Sequence, residues 1–539
     1  MIIEGKKGRR PAGTGGSPYC RSHGLKRMLL GAGAGLLTVA SAHAADLPVK
    51  AAPVEYVKVC SLYGAGFFYI PGTDTCLKIG GYLRSDHIYG SAGQGNFYLA
   101  VPQAQFNRLA TDEYSFRARM NLTVDFRTQS DYGTIRAYAA IVAQQSQNDA
   151  TSNGSAGILR AFIQFAGFTV GHAVSYFDFL NSADYGYIFP PISAGTGVNG
   201  TDLIAYTWLI GNGFSTSIDL EDGGNASAGI SGTGRGKILI NTSMPGALGT
   251  SSAATTVTND AARAMQPDIV GNLRLDQAWG SAQVMAALHN ASGGYYSGVP
   301  GALNASLTGS QSFGHPGEAW GWAVGGGAKI ANFLFPRDMI EFEADYCHGA
   351  VGYCIPPTIY TNNWVYGGGN TLAMGYGSDG VFNNGGQIQL TDSARFSVGY
   401  QHYWNTQWRT SVIGGQVYSF YNNNAQGQLC GTAPGSAGVG GASSLYGSIL
   451  QTSGSFGGVP LHFNCNPNWS QTVISTRTAW NPHPFLEIGY ELGWMNTHTA
   501  NSGSVIALAA NGARPAGVYQ IKDQDGYYMA LRFQKAILP

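Results

Sequence analysis

The feature that most constrains the fold of this chain is a strict two-residue alternation of apolar and polar side chains. It is clearest in YSFRARMNLTVDFRT, residues 114 to 128, where Phe116 and Phe126 fall on one parity and Arg117 and Arg119 on the other. A period of two indicates a β-strand with two unlike faces. Three arginines and one aspartate share the polar face here, and the other face carries no charge. The two faces must therefore meet different surroundings.

The same alternation recurs in sixteen segments, joined by connections that are alternately short and long. Short turns at one end and long loops at the other are typical of a transmembrane barrel with an even number of strands. A bilayer forces such a sheet to close, because unpaired backbone groups in hydrocarbon are costly. We therefore predict an all-β fold, a sixteen-stranded antiparallel transmembrane β-barrel whose polar face lines an aqueous lumen. The segments are 77–84, 114–128, 134–143, 159–165, 168–172, 204–210, 214–221, 268–275, 281–289, 320–330, 339–346, 395–404, 408–420, 471–480, 485–494 and 527–533.

Composition agrees with this fold class. Charged residues make up 11% of the chain, against about 25% in ordinary globular proteins. The 78 glycines suit a β-rich chain with many turns. Mean hydropathy is −0.06, which argues against a helical membrane protein.

The N-terminus has the pattern of an export signal. Lys26 and Arg27 precede the apolar run MLLGAGAGLLTVASAHA, which ends in an A-x-A site at residue 44. A transmembrane anchor is the alternative, but the run is short and rich in glycine. We expect a signal peptide with an N-terminal extension at 1–44, an N-terminal periplasmic segment at 45–76 and the barrel at 77–539. Removing 1–44 takes away seven of 30 basic and one of 30 acidic groups, which leaves a net charge of about −6 and argues against nucleic acid as a partner.

Six cysteines remain after Cys20 is removed with the presequence, and they occur as sequence neighbours. In an oxidising compartment the local pairing is the natural expectation among fifteen possible ones. A metal site built on Cys347, His348 and Cys354 is the alternative at one pair. The expected disulfides are Cys60 with Cys76, Cys347 with Cys354, and Cys430 with Cys465.

Several segments carry a resemblance to a known family. They are VCSLYGAGFFYIPGTDTCLKIGGYLR (59–84), SDYGTIRAYAA (130–140), RAFIQFAGFTVG (160–171), SYFDF (175–179) and PDIVGNLRLDQAWGSAQV (267–284). The chain resembles the alphaproteobacterial general porin family. The resemblance implies a homotrimeric outer-membrane porin, embedded in outer-membrane lipid, whose third loop folds inward and narrows a channel for small hydrophilic solutes and ions. Porins usually end on an aromatic residue, whereas Phe533 here is followed by QKAILP.

Passive diffusion needs no catalytic group or cofactor, only a narrow point where charges sort solutes. Inward parity places five arginines and a tyrosine on the first four strands, and the third loop, 173–200, carries two acids. If that loop folds inward, the acids would face the arginines across the narrowest section. Alternatively, the arginines are solvated lumen residues paired with Asp125 or Glu221. The expected constriction consists of Arg84, Arg117, Arg119, Arg136, Tyr138, Arg160, Asp178 and Asp184.

Other function classes find less support in the sequence. An enzyme is not indicated, because no HExxH, Walker or GxSxG motif is present and His172, His289 and His402 lack Ser-Asp companions at motif spacing. A secreted β-rich adhesin would not explain charge-free faces opposite charged ones. A sugar-selective channel, with Tyr185 and Tyr187 as a sliding track, stays open at this stage.

Overall fold

The computed structural model describes most of the chain after residue 58 and shows a closed antiparallel barrel. The described residues are 59–90, 114–146, 155–188, 192, 200–223, 237–243, 260–262, 265–296, 311–355, 363–367, 370–430, 450–451, 454–508 and 516–537. The expected signal peptide and residues 45–58 of the expected segment 45–76 lie outside these residues. In the described part, no helix is both long and apolar enough to cross a bilayer.

Sixteen strands form the barrel, and each contains or overlaps one of the segments predicted from alternation. They are β1 (Thr75–Gly90), β2 (Tyr114–Ser130), β3 (Gly133–Ser146), β4 (Ser155–Phe165), β5 (Phe168–Ala173), β6 (Thr201–Gly211), β7 (Phe214–Glu221), β8 (Asp268–Gln277), β9 (Gly280–Asn290), β10 (Trp320–Ala331), β11 (Met339–His348), β12 (Asp392–Tyr403), β13 (Trp408–Phe420), β14 (Trp469–His483), β15 (Leu486–His498) and β16 (Gln524–Ala536).

Each strand pairs with the next, and the last returns to the first. In the closing pair, Tyr82 lies opposite Ala536 and Gly90 opposite Tyr528. Closure satisfies the backbone groups at both edges, so the predicted sixteen-stranded barrel is confirmed. Strand β16 continues three residues past Phe533, and Ile537 N–H still donates to the carbonyl of Gly81.

Side-chain exposure separates the two faces as the alternation predicts. On β2, Phe116 is 51% exposed and faces outward, whereas its neighbours Ser115 and Arg117 are buried. Large apolar side chains are exposed on the outer parity of the other strands too, as a lipid-facing surface requires. The charged parity therefore faces the interior of the barrel.

The long loops add further structure at one end of the barrel. A buried apolar cluster joins inward-facing barrel residues such as Val270 and Val473 to long-loop residues such as Ile240, Leu372 and Ile506. We call this packed group of long loops the cap. Its short strands are 239–241, 363–367, 371–375, 380–382, 389–390, 450–451, 455–456, 459–460, 505–508 and 517–521, and its α-helix is α1 (Asn423–Cys430). The remaining short elements are the strand 68–69 and the 3-10 turns 61–63, 182–184, 311–313 and 351–353.

Candidate pore constriction

The arginines expected at the constriction all lie on the inner face of β1 to β4. Register places Arg84 directly opposite Arg119, and Arg160 opposite Ala140, one inward position from Tyr138. Arg117 and Arg119 are buried, at 5% and 8% exposure. Arg84 and Arg160 are half-buried. The sequence therefore placed these side chains on the correct face, but it did not indicate how strongly they differ in access to the lumen.

Asp86 pairs with three arginines near the closing strand pair, β16 with β1, which we call the seam. Its carboxylate lies 2.7 Å from Arg117 Nη2, 3.1 Å from Arg84 Nε and 2.6 Å from Arg532 Nε. These guanidinium groups come from β1, β2 and β16. One carboxylate thus joins the first, second and last strands, and three positive charges share one negative charge.

A second cluster lies closer to the short turns. Asp125 pairs with Arg127 at 2.9 Å and with Arg136 at 3.0 Å. The Arg136 guanidinium also lies 5.0 Å from the centre of the Tyr138 ring. Arg136 is therefore paired with Asp125, as the alternative interpretation of the sequence anticipated. It remains partly exposed to the lumen, with 26% of its side chain accessible.

The described part of the third loop, residues 174–188 and 192, folds inside the barrel and follows the opposite half of the wall. Its first anchor is the carbonyl of Tyr176, which accepts from Asn272 on β8 at 2.9 Å. Further along, Leu180 N–H donates to Glu343 on β11 at 2.6 Å. The loop thus crosses inward-facing residues of successive strands, as the family resemblance implied.

The tip of the third loop is attached to β11 and to β13 through β16. Tyr185 Oη donates to Glu341 at 2.8 Å, and its carbonyl accepts from Ser411 Oγ at 2.7 Å. Tyr187 Oη donates to Glu487 at 2.8 Å, and the Tyr187 N–H donates to Glu491. Carboxylates on the wall therefore satisfy donors of a buried loop, a requirement that irregular backbone must meet away from water.

The two loop acids do not share one set of partners. Asp178 interacts electrostatically with Arg160 on β4. Asp184 interacts instead with Lys329 on β10 and Arg477 on β14. Of the two acids, Asp178 is the one for which the described residues show an electrostatic interaction with the arginine-bearing strands β1 to β4.

Three inward-facing glycines lie where aromatic rings of the third loop pack. A Cβ added to Gly399 would lie 2.6 Å from the ring of Tyr185, closer than any real contact. Any larger residue at this position would displace the ring. We call these positions the glycine sockets. The three pairs are Phe179 with Gly327 on β10, Tyr185 with Gly399 on β12, and Tyr187 with Gly489 on β15.

Sequence reasoning missed the arginines of the later strands. Arg532 lies 4.2 Å from the centre of the Tyr187 ring, and Arg477 lies 5.2 Å from it. Arg395 is buried and pairs with Glu343 at 2.7 Å and with Asp345. All three have inward parity in strands that the alternation had located, so the same rule could have found them.

An N-terminal hairpin, residues 59–74, lies against the inner face near the short turns. The centre of the Phe67 ring in this hairpin lies 4.8 Å from the Arg127 guanidinium, and Tyr63 Oη donates to Gln129 at 3.4 Å. Lys78 Nζ donates to the carbonyl of Ala65 at 3.3 Å. Because Lys78, Arg127 and Gln129 are inward-facing, the hairpin occupies part of the turn-end mouth.

The three expected disulfides are confirmed. They link Cys60 to Cys76, Cys347 to Cys354, and Cys430 to Cys465. The alternative of a metal site at Cys347 and Cys354 is wrong, because both sulfur atoms are used in one covalent bond. The first bridge holds the N-terminal hairpin, the second joins the end of β11 to the loop that follows it, and the third lies in the long loops.

Comparison with known proteins agrees with the barrel. The model of the porin subfamily matches residues 46–529. Porin Omp2b of Brucella neotomae is 30% identical over 335 residues, which cover 57% of this chain and 80% of that protein. Porin Omp2b of Brucella suis biovar 1 gives the same identity and coverage over 334 residues. The outer membrane channel DcaP of Acinetobacter baumannii has a similar fold, with a TM-score of 0.54, 15% identity, and coverage of 87% of this chain and 99% of that chain.

The family assignment implies a channel rather than an enzyme. With a match over most of its length, a closed barrel and a third loop inside the lumen, this chain belongs to the porin subfamily and forms a porin channel of the bacterial outer membrane.

Proposed function

We propose that the protein is a homotrimeric diffusion porin whose narrowest section lies between the third loop and the wall formed by β1 to β4. The observation that carries the proposal is the position of that loop, which is bonded to β8, β9, β11 and β13 through β16. The remaining passage runs beside the first strands. The residues proposed to surround it are Arg84, Arg117, Arg119, Arg136, Tyr138, Arg160, Asp178 and Asp184.

Charge on the two sides of this passage supports weak selection for anions. The inner faces of β1 to β4 carry six arginines and two aspartates. Asp178 of the third loop interacts electrostatically with Arg160. Such a pair would create a field across the passage that orients water, and the excess of positive charge on the wall formed by β1 to β4 favours anions.

Reversal potentials across a salt gradient in planar bilayers test this proposal. We expect Arg160→Ser to shift the potential toward cation selectivity and Asp178→Asn to shift it in the opposite direction. Lys522→Ser, which removes an exposed positive charge in the last long loop, is the matched control and should have little effect. Equal potentials for Arg160→Ser and Lys522→Ser would remove Arg160 from the constriction.

The outer face of the first strands supports the trimer. Ser85 and His87 have outward parity on β1, and their side chains are 3.0 Å apart. Polar groups facing lipid are unfavourable, so another protein surface suits this sector better. An adjacent groove of about 680 Å³ is lined by apolar residues such as Ala118 and Phe533 and by polar ones such as Gln145 and Lys535. A detergent-stable species of three chains, dissociating on heating, is the expected result on a gel; a monomer under the same conditions would contradict it.

The domain organisation follows the same proposal. Residues 1–44 act as the export signal with its extension, 45–76 lie on the periplasmic side, and 77–539 form the barrel. Mass spectrometry of the N-terminus of the protein isolated from outer membranes should find Ala45 as the first residue. Retention of residues 28–44 would overturn this assignment.

A further inference from the structure

The wall that the third loop leaves uncovered carries a continuous series of guanidinium groups and aromatic rings. The series begins with Arg160 on β4. The next inward position on this strand is Phe162, which lies opposite Tyr138 on β3. The following inward pair on β3 and β2 is Arg136 with Arg127. Successive inward positions on a strand are about 7 Å apart, so the series descends the wall without a gap.

Two aromatic rings in this series, those of Tyr138 and Phe162, stack on each other. The Tyr138 and Phe162 rings are 5.3 Å apart with an angle of 28° between their planes. The Arg136 guanidinium lies 5.0 Å from the first ring centre and 5.4 Å from the second. All three side chains are half-buried, so part of each is open to the lumen. This arrangement offers flat surfaces next to positive charge.

The N-terminal hairpin extends the series to the turn-end mouth. Arg127 lies 4.8 Å from the centre of the Phe67 ring and 5.5 Å from that of Tyr63. Both rings belong to the hairpin held by the Cys60–Cys76 disulfide. A solute leaving the constriction therefore meets rings and guanidinium groups along the whole lower half of this wall.

Charge along the series remains positive. Asp125 is shared between Arg127 and Arg136, and Asp178 interacts electrostatically with Arg160. Three guanidinium groups thus meet two carboxylates. Arginine binds carboxylates through parallel hydrogen bonds, and its plane stacks on aromatic rings. A solute with a carboxylate and a flat ring would use both properties at once.

We propose that this wall is a track for planar organic anions, chiefly aromatic carboxylates, and that it passes them faster than non-planar anions of equal charge and similar size. The carboxylate would move between successive guanidinium groups while the ring stacks on Tyr138 and Phe162. Several weak sites in series favour passage over retention. The proposal rests on the diffusion function proposed above and adds a solute class to it.

Bi-ionic potentials in planar bilayers containing the full-length protein test the track. Benzoate and cyclohexanecarboxylate are the probes, because both carry one carboxylate on a six-membered ring and only benzoate is flat. We expect a permeability ratio of about two to ten in favour of benzoate, the factor that one aromatic stacking contact contributes. The ratio should fall toward one in the double variant Tyr138→Leu with Phe162→Leu.

A matched control is available on the outer face. Tyr418 and Phe420 form a similar stacked pair, 5.6 Å apart, with outward parity on β13. Replacing both by leucine should leave the benzoate preference intact. Equal permeability of the two probes in the unaltered protein, or a preference that survives the Tyr138 and Phe162 replacements, would overturn the track while chloride current still supports the porin. Absence of any current would overturn both proposals.

Discussion

The two halves of the lumen wall share one alternating pattern but have different partners. On β1 to β4, four of the six inward arginines pair with Asp86 or Asp125 of the same wall. On the covered half the inward acids also bind the third loop, as Glu343 does when it accepts from the backbone of Leu180. The same parity rule therefore produces a water-facing wall in one place and a loop-binding wall in the other.

The glycine sockets distinguish the covered wall, which carries inward arginines as well. The uncovered wall carries long guanidinium side chains that can reach into solvent. The covered wall carries glycines at the sockets, where a ring of the third loop takes the space that a side chain would otherwise fill. Inward glycine beside inward acid thus marks a wall built to receive another part of the chain, because the glycine leaves room and the acid satisfies buried donors.

The largest effect should follow from removing the carboxylate at the seam of the uncovered wall. Asp86→Ala leaves three arginines without their shared partner, and breaking a buried ion pair costs about 3–5 kcal/mol. The control Asp276→Ala breaks an exposed pair with Arg274 and should cost less than about 1 kcal/mol. Urea unfolding in lipid vesicles, followed by tryptophan fluorescence, measures both. Equal losses would show that Asp86 has no special role at the seam.

Removal of a disulfide should alter the channel only where the disulfide holds residues beside the uncovered wall. Replacing Cys430 and Cys465 by alanine opens a loop of 35 residues in the cap and should cost about 3–4 kcal/mol, with ion selectivity unchanged. Replacing Cys60 and Cys76 should cost about 3 kcal/mol and also alter conductance, because the N-terminal hairpin lies against the uncovered wall. Unfolding midpoints and single-channel recordings would measure both properties. A change in ion selectivity on replacement of Cys430 and Cys465, without one on replacement of Cys60 and Cys76, would contradict this assignment.

A glycine socket should be sensitive to a single methyl group. Gly399→Ala forces the Tyr185 ring to move, and overpacking of this kind costs about 1–3 kcal/mol. The displaced loop should also make single-channel currents noisier. Gly271→Ala on the outer face of β8, where the nearest atom is 3.7 Å away, should change stability by no more than about 0.5 kcal/mol. Quiet currents in Gly399→Ala would show that the loop is held without this socket.

The smallest effect should come from one hydroxyl group on the covered wall. Tyr185→Phe removes the 2.8 Å hydrogen bond to Glu341 and should cost about 1–2 kcal/mol. The mean conductance should stay near its original value, because Ser411 still holds the carbonyl of residue 185. A large drop in conductance would indicate that this hydroxyl group contacts the permeating solute instead.

Alternation located the barrel because a lipid-facing surface and an aqueous lumen act on every strand in the same way. It placed Arg84, Arg117 and Arg160 on the inner face for this reason. It could not distinguish buried Arg117 from half-buried Arg160, since burial depends on contacts between distant segments. The position of Asp184 beside Lys329 and Arg477 depends on the path of the loop, which no local pattern encodes.

Arg532 has a consequence for the order of assembly. It donates to Asp86, 446 positions earlier in the chain, and stacks on Tyr187 at the tip of the third loop. The last strand must therefore arrive before the loop acquires this contact. A barrel that has not yet closed would lack these contacts of Arg532 in the lumen. Formation of the selective passage and closure of the barrel are therefore one event during insertion.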